Sequence, residues 1–490
     1  MHIKNLNSVS GDIIGRKDDG QLMTSAACPP ELTQADPISP ELLRRYDVAG
    51  PRYTSYPTAD RFVEAFGEAD YLQALEQRRE GLAVKAYPLS LYVHIPFCES
   101  LCYYCACNKI ITKHHERGAE YLRYLEREVD LNIAHLGQGQ VVSQLHLGGG
   151  SPTFLSDAEL AQLMAMLRRN FQFAPGGEYS VEIDPRTVTR ERLAHLAELG
   201  FNRLSFGVQD FEPAVQKAVH RIQPAEQVFD LVAAARELGF ESVNADLIYG
   251  LPMQTPETFE RTLEKITQLR PDRIALYAYA HLPERFKPQR RIHTQDLPPA
   301  ASKLVMLSSA MRVLVEAGYV YVGMDHFALP NDALAVAKRQ GRLHRNFQGY
   351  STQPDCDLIA LGVSSIGRVG PTFSQNVKTL DEYYDLLNQG RLPVARGMAL
   401  SRDDLVRRTV IMALMCQGSV LFESVELSHL VDFKQYFAPE MENMAAMQDQ
   451  GLLTIDDAGI HVTELGWFFV RGVAMVFDKY LQADKNRARF

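Results

Sequence analysis

The sequence predicts an α/β protein: a partial (β/α)6 barrel, or an open doubly wound sheet, with an N-terminal extension and a small C-terminal helical, winged-helix-like domain. Three features predict it. From about residue 88, short β-rich runs alternate with longer amphipathic stretches, a pattern that implies a parallel sheet with right-handed crossovers. Four of the seven cysteines fall within ten residues directly after the first run. Beyond about residue 400 the alternation stops, and helices with a hairpin take over.

The β-rich runs are 90–95, 144–147, 179–183, 203–207, 242–248 and 273–280. The helical stretches between them are 116–135, 157–170, 188–199, 225–238 and 256–269, several with i, i+3, i+4 apolar spacing. In either architecture ligands gather at the C-terminal ends of the strands. Residues 1–40 mix Gly, Ser, Asn, Asp and Pro without apolar periodicity and read as a mobile extension. Residues 41–87 hold a helix and a strap, Pro51-Arg-Tyr53-Thr-Ser-Tyr56-Pro57-Thr58, both expected to pack on the barrel. Residues 88–400 are expected to form the main α/β domain. Residues 401–490 contain helices near 402–416 and 436–450, strands at 452–455 and 460–463, and a final amphipathic helix carrying Trp467.

Composition narrows the class. Of 490 residues, 46% are hydrophobic and 23% charged, and the net charge is −9. That balance offers no global attraction for nucleic acid or anionic membranes. The helix before the hairpin carries Glu440, Glu442 and Asp449 and no Lys or Arg, so the winged-helix-like domain is not expected to bind DNA. No window approaches the ~20 apolar residues of a membrane span. No charged-then-apolar leader opens the chain, and Asp12, Asp18 and Asp19 argue against a basic targeting peptide. We expect a cytoplasmic protein. In that compartment clustered cysteines read as thiolate ligands, not disulfides.

The cysteine loop reads Cys98-Glu-Ser-Leu-Cys102-Tyr-Tyr-Cys105-Ala-Cys107. Three thiolates at spacings of four and three suit an iron–sulfur cluster. A structural zinc site is the alternative, although zinc loops normally pair two arms and no second arm is present. CxxxCxxC after the first strand of a parallel barrel resembles the radical S-adenosylmethionine (SAM) enzymes. The order of further motifs narrows the resemblance: His94-Ile-Pro-Phe-Cys98, Gly148-Gly-Gly-Ser-Pro-Thr153, Glu182-Ile-Asp-Pro185, Gly207-Val-Gln-Asp210, Asp246-Leu-Ile-Tyr-Gly-Leu-Pro252 and Gly323-Met-Asp-His-Phe327. With the strap and Cys107, this set resembles the oxygen-independent coproporphyrinogen III oxidase family.

The resemblance implies a radical SAM barrel in which Cys98, Cys102 and Cys105 hold a [4Fe–4S] cluster with one open iron. SAM would chelate that iron and be cleaved to a 5′-deoxyadenosyl radical. It implies two SAM molecules, lined by Tyr92, Tyr104, Gly149, Gly150, Ser151, Glu182, Gln209, Arg221, Asp246, Ala280 and Ile366. Tyr92, His94, Cys107 and Glu182 are the catalytic candidates. The implied reaction is anaerobic oxidative decarboxylation of two propionates of coproporphyrinogen III to vinyl groups, giving protoporphyrinogen IX in haem biosynthesis. A low-potential donor such as flavodoxin or ferredoxin, a monomeric state, and no membrane or nucleic-acid partner complete the expectation. A haem-binding chaperone or another haem-modifying radical SAM relative is the competing reading. Substrate propionates need cationic partners. Arg285, Arg290, Arg291 and Arg345 lie nearby in sequence, each more simply read as a solvated surface cation.

Overall fold

The computed structural model describes residues 41–42, 45, 50–81, 87–347, 349–353 and 355–487; the expected extension over 1–40 lies outside them. Six strands, β1 (Leu89–Ile95), β2 (Gln140–Gly149), β3 (Phe171–Ile183), β4 (Arg203–Gln209), β5 (Ser242–Tyr249) and β6 (Arg273–Ala278), lie side by side in chain order. Every neighbouring pair among them is parallel. A doubly wound sheet reverses its strand order at a switch point. This one runs straight through, which is barrel winding.

The sheet goes further than the sequence suggests. At one edge β7 (Val320–Gly323) and β8 (His326–Ala328) form a hairpin, with β8 antiparallel to β6. At the other, β9 (Leu358–Leu361) runs parallel to β1, and β10 (Ile366–Val369), β11 (Thr372–Asn376) and β12 (Val394–Ala399) follow antiparallel. Among the described residues the twelve strands form one sheet with two free edges, so the barrel does not close. Ile366 and Tyr277, from opposite halves, line one cavity; the sheet therefore curves around it.

Strand alternation separates core from cavity. On β1, Leu89, Leu91, Val93 and Ile95 are fully buried against the outer helices, while Tyr92 and His94 face the interior cavity. The helices over the outer face start where their caps dictate. Ser156 and Glu159 form a reciprocal capping box at Asp157–Asn170, and Thr255 with Pro256 starts Pro256–Leu269. The helix expected at 188–199 starts later, at Arg190, because Thr189 is its cap. β3 starts eight residues before its expected run, since Pro175, Gly176 and Gly177 look like breakers yet sit at an irregularity within the strand, between the paired Phe173 and Glu178.

The C-terminal domain has a three-stranded sheet, Ser419–Leu421 having joined the expected hairpin. Its expected final helix is instead broken into Glu464–Trp467, Val470–Ala474, a 3-10 turn at Met475–Phe477, and Lys479–Arg487. Gly466 packs against the Leu452 carbonyl, an approach no side chain permits. Asp478 accepts from the amides of Tyr480 and Leu481, which starts the last helix. Tyr53 and Tyr56 of the strap are fully buried; the Tyr53 hydroxyl donates to Asp478 at 3.0 Å. The strap thus packs on the C-terminal domain as well as on the barrel. No described helix is long and apolar enough to cross a membrane.

Two local features fix the strand ends beneath the site. The Gly148–Gly150 turn meets the backbone that leads into the cysteines: Gly150 N–H donates to Ile95 O and Ser151 N–H to Phe97 O, both at 2.8 Å. A Cβ on Gly150 would lie 2.7 Å from the Phe97 carbonyl oxygen and 2.9 Å from that of Pro96. Behind β1, buried Glu128 accepts from Gly362 N–H (2.7 Å), Asn376 Nδ2 (2.7 Å) and the Tyr383 hydroxyl (2.5 Å). It thereby ties the 362–366 turn to the helix Glu116–Leu136.

Each feature gives a prediction. Gly150→Ala forces backbone against backbone, and we expect a loss of about 1–3 kcal/mol in urea unfolding, typical of overpacking; wild-type stability would show that the loop can yield. Burial pushes the Glu128 carboxyl from the usual 4.5 up to about 7, although its three donors pull the other way. Between those values the folded chain holds a proton that the unfolded chain has released, so stability falls as pH rises through the window. Glu128→Gln should flatten that decline between pH 5 and 8 by up to about 3 kcal/mol. An unchanged slope in the variant would assign the pH dependence to other groups.

Candidate active site in the barrel interior

The curved sheet wraps around a cavity of about 480 Å³. Strand register brings its polar groups together: Tyr92 on β1 lies opposite His146 on β2, His146 opposite Ser180 on β3, and Glu182 opposite Ser205 on β4. Tyr92, His94, Cys107, Gly149, Glu182, Asp246 and Ile366 all line this space. The cysteine loop lies at the C-terminal ends of the strands, where the winding rule locates ligands.

Hydrogen bonding assigns the His94 tautomer. Nε2 is 2.9 Å from the Asn108 carbonyl oxygen, which only accepts, so Nε2 carries the proton. Nδ1 then accepts from the Tyr92 hydroxyl at 3.0 Å. Burial lowers the pKa of His94 and favours this neutral form. The hydroxyl and the ring form a short relay on the cavity wall.

Two carboxyls facing the cavity are held in different states. Burial pushes Glu182 up, but His146 Nε2 at 3.2 Å and Gly149 N–H at 3.1 Å outweigh it, and its pKa lies below the usual range. Asp246 keeps only Asn244 Nδ2 (2.8 Å) and the Ser205 hydroxyl (3.3 Å); burial and then the Glu182 charge push it up to about 7. Environments that drive two acids apart let one accept hydrogen bonds as an anion while the other retains a proton. A Cβ on Gly149 would lie 2.6 Å from the His94 ring, and its φ is +115°. Glycine is required there on both counts.

His146 escaped the sequence reading. It bridges Glu182 and the Ser180 hydroxyl (2.6 Å) and stacks on Tyr92 at 5.9 Å with a 13° tilt. The alternation Gln144, His146, Gly148 along β2 was its signal, since those positions share one face.

The ligand candidates lie beside this cavity. Cys98 and Ser151 line a smaller space of about 180 Å³ with Asp184 and Arg186. Burial, then the neighbouring sulfurs of Cys105 and Cys102, push the Cys98 thiol up to about 12. Arg221 Nη1 and Arg186 Nη2 approach the Cys102 sulfur at 3.5 and 3.6 Å, and both guanidiniums also hold Asp184. Cys107 hydrogen-bonds to Cys105 and lines the main cavity. Three neighbouring thiols on one loop, two cations at a sulfur and glycines at the adjoining turn fit a thiolate-held cluster with an organic ligand alongside. Among the described residues, no three His, Cys, Asp or Glu side chains gather as ligands of one metal ion.

The remaining candidates are dispersed. Tyr104 interacts with Arg221 and Cys102, and Gly150 underlies the cysteine loop. Gln209 ends β4 with φ +67° and packs across Gly207. Ala280 is exposed beyond the end of β6. None of these four lines either cavity. Arg291 lies over the Tyr103 ring at 5.2 Å, whereas Arg345, read from sequence as a surface cation, is buried.

Comparison with known proteins identifies the family. Residues 92–266 match the radical SAM superfamily, and residues 400–469 match the HemN C-terminal domain. The oxygen-independent coproporphyrinogen III oxidase of Pseudomonas aeruginosa is 50% identical over 455 residues, covering 92% of this chain and 97% of the relative. That of Escherichia coli K12 is 47% identical over 449 residues, with the same coverages. The solved structure of coproporphyrinogen III oxidase (HemN) from Escherichia coli, a radical SAM enzyme, is similar with a TM-score of 0.84, 47% identity, and coverage of 88% of this chain and 97% of that one. A relative at half identity over nine-tenths of the chain leaves one conclusion: this chain belongs to the oxygen-independent coproporphyrinogen III oxidase family of radical SAM enzymes.

Proposed function

We propose that this chain carries out the anaerobic oxidative decarboxylation of two propionates of coproporphyrinogen III, yielding the vinyl groups of protoporphyrinogen IX in haem biosynthesis. The observation that carries this reading is a cavity lined by titratable side chains next to the cysteine loop, in a chain half identical to enzymes of that name. Each propionate loses a hydrogen atom, CO2 and one electron, the last to an acceptor that the reaction must supply. The [4Fe–4S] cluster and SAM, when bound, supply the one-electron chemistry that takes the hydrogen atom from the propionate β-carbon.

The chain's own residues have separate tasks. Cys98, Cys102 and Cys105 would hold the cluster, and Arg186 and Arg221 would offset charge at Cys102. Glu182 accepts from a SAM ammonium or ribose hydroxyl, and Asp246 is a second polar anchor. Gly149, Gly150 and Ser151 let the cofactor approach the backbone. Tyr104, Gln209, Arg221, Ala280 and Ile366 complete the surroundings of two SAM molecules, both consumed per turnover. Tyr92 donates its hydroxyl hydrogen bond to His94 Nδ1 and so fixes the ring at the cavity wall, where either group is placed to donate a proton. Cys107 presents a thiol to the cavity. The chain acts as a cytoplasmic monomer and draws electrons from a flavodoxin or ferredoxin.

Anaerobic turnover with reconstituted iron and sulfide, SAM and a low-potential reductant tests the proposal. Two CO2 and two 5′-deoxyadenosines per protoporphyrinogen are expected, with all activity lost in Cys98→Ser. Cys107→Ser should retain its iron and lose CO2 release at least about ten-fold, a barrier change of about 1.4 kcal/mol or more. Deoxyadenosine without CO2 would refute the substrate. Tight haem binding without SAM cleavage would turn the assignment to a haem-binding relative.

A further inference from the structure

One wall of the main cavity has no task in that scheme. Tyr277 on β6 and His326 on β8 meet edge to face at 6.1 Å, and Tyr350 meets His326 in the same way at 5.4 Å. All three line the cavity. Guanidiniums back the rings, with Arg52 over Tyr277 at 4.6 Å and Arg345 over Tyr350 at 4.5 Å. Arg273 lines the cavity too.

The charges on this wall do not cancel. Arg52 pairs with Asp325, and Arg273 with Asp332 at 2.9 Å. Arg345 is buried, and its Nε donates to the Arg52 carbonyl at 3.2 Å. Among the described residues it forms no ion pair, and its Nη1 has no hydrogen-bond partner. Arg273 Nη2 and His326 Nδ1 are likewise buried without partners. A buried guanidinium lacking a counter-ion costs several kcal/mol, and an arriving anion removes that cost. Asp246 also acts on Tyr277, but its pKa near 7 makes it a weak counter-charge. Burial, then Arg345, Arg52 and Arg273, hold His326 neutral, so its ring is able to present Nδ1–H to an acceptor.

We propose that this wall is a carboxylate subsite. His326 and Arg273 supply donors facing the cavity, Arg345 supplies the unmatched positive charge behind Tyr350, and together they hold one propionate of the tetrapyrrole away from the reacting position. The inference rests on the substrate class proposed above. It assigns specificity to the His of Gly323-Met-Asp-His-Phe327 and to a buried arginine. One unmatched charge suits one carboxylate, and the donors of His326 and Arg273 that face the cavity suit its oxygens. The SAM carboxylate has the same chemistry and is the competing source.

The test uses the full chain with its cluster reconstituted and two stable probes, coproporphyrin III and its tetramethyl ester, titrated by fluorescence; SAM affinity is measured in parallel. Wild type should prefer the acid. Arg345→Gln should weaken acid binding about ten-fold or more, leaving ester and SAM affinities unchanged, so that the preference collapses. His326→Asn, a milder change, should do the same should Arg345→Gln fail to fold. A preserved acid-over-ester preference in a folded variant overturns the subsite. So does a fall in SAM affinity with porphyrin preference intact, which would give the wall to the cofactor carboxylate. Wild type that binds neither porphyrin refutes the substrate reading itself and, with it, the subsite.

Discussion

The close approach of two backbones organises this molecule. Where β1 leaves the sheet, Pro96 and Phe97 lie directly against Gly150, and the amides of Gly150 and Ser151 close onto Ile95 and Phe97. The cysteines begin one residue later. Ile110 and Thr112 return hydrogen bonds to Pro96 O and Cys98 O, so the loop is fastened on its way out and on its way back. Side chains cannot provide that fixity, because the contact leaves no room for a Cβ. The same turn places Gly149 N–H on Glu182 and sets the His94 ring over Gly149. Loop, turn and the first carboxylate are thus one rigid unit, and the elements that surround the cysteines inherit their positions from it.

Strand pleat does the second part of the work. The parallel strands are apolar toward the helices and polar toward the cavity, so the sheet stabilises the fold with one face and lines the site with the other. A polar interior is tolerated only when each group has a partner. On the strands nearest the cysteine loop this holds: Tyr92 with His94, His146 with Ser180 and Glu182, Asp246 with Asn244 and Ser205. The two acids are separated by their partners more than by their depth. Glu182 has a histidine and a backbone amide; Asp246 has an amide and a hydroxyl, and feels Glu182 besides.

Much of this was legible in the residues, and what was not has physical causes. The six parallel strands and the helices between them carry strong periodicity and short, ordered connections, so their positions follow from pattern. β9 to β12 do not announce themselves. They are four to six residues long, three of the four contain Gly or Ser, and they pair antiparallel with one another. The broken C-terminal helix was missed because apolar spacing continues through Trp467 while Gly466 packs against the Leu452 carbonyl. Within the site, cysteines and glycines stand out by spacing. Arg345 looked like a surface cation because nothing in its neighbours reveals that Tyr350 and the strap enclose it, and burial of a long charged side chain is a tertiary property.

The division of labour follows from where each wall originates. The match to the radical SAM superfamily covers 92–266, the strands that carry the cysteine loop, the glycine turn, Glu182 and Asp246. Tyr277, His326, Arg345 and Tyr350 lie beyond it, on the last parallel strand, the β7–β8 hairpin and the 344–351 ribbon, and Arg52 comes from the strap. The strap is anchored to the C-terminal domain through Tyr53 and Asp478, and Tyr350 through its hydroxyl to Met415 O at 2.9 Å. A cavity wall built from attachments can change without disturbing the backbone contact at Gly150. A superfamily with one radical-generating core is free to vary its substrates in this way. The C-terminal domain then acts on substrate choice by holding in place the segments that carry the cations, with no need to reach the reacting atoms itself.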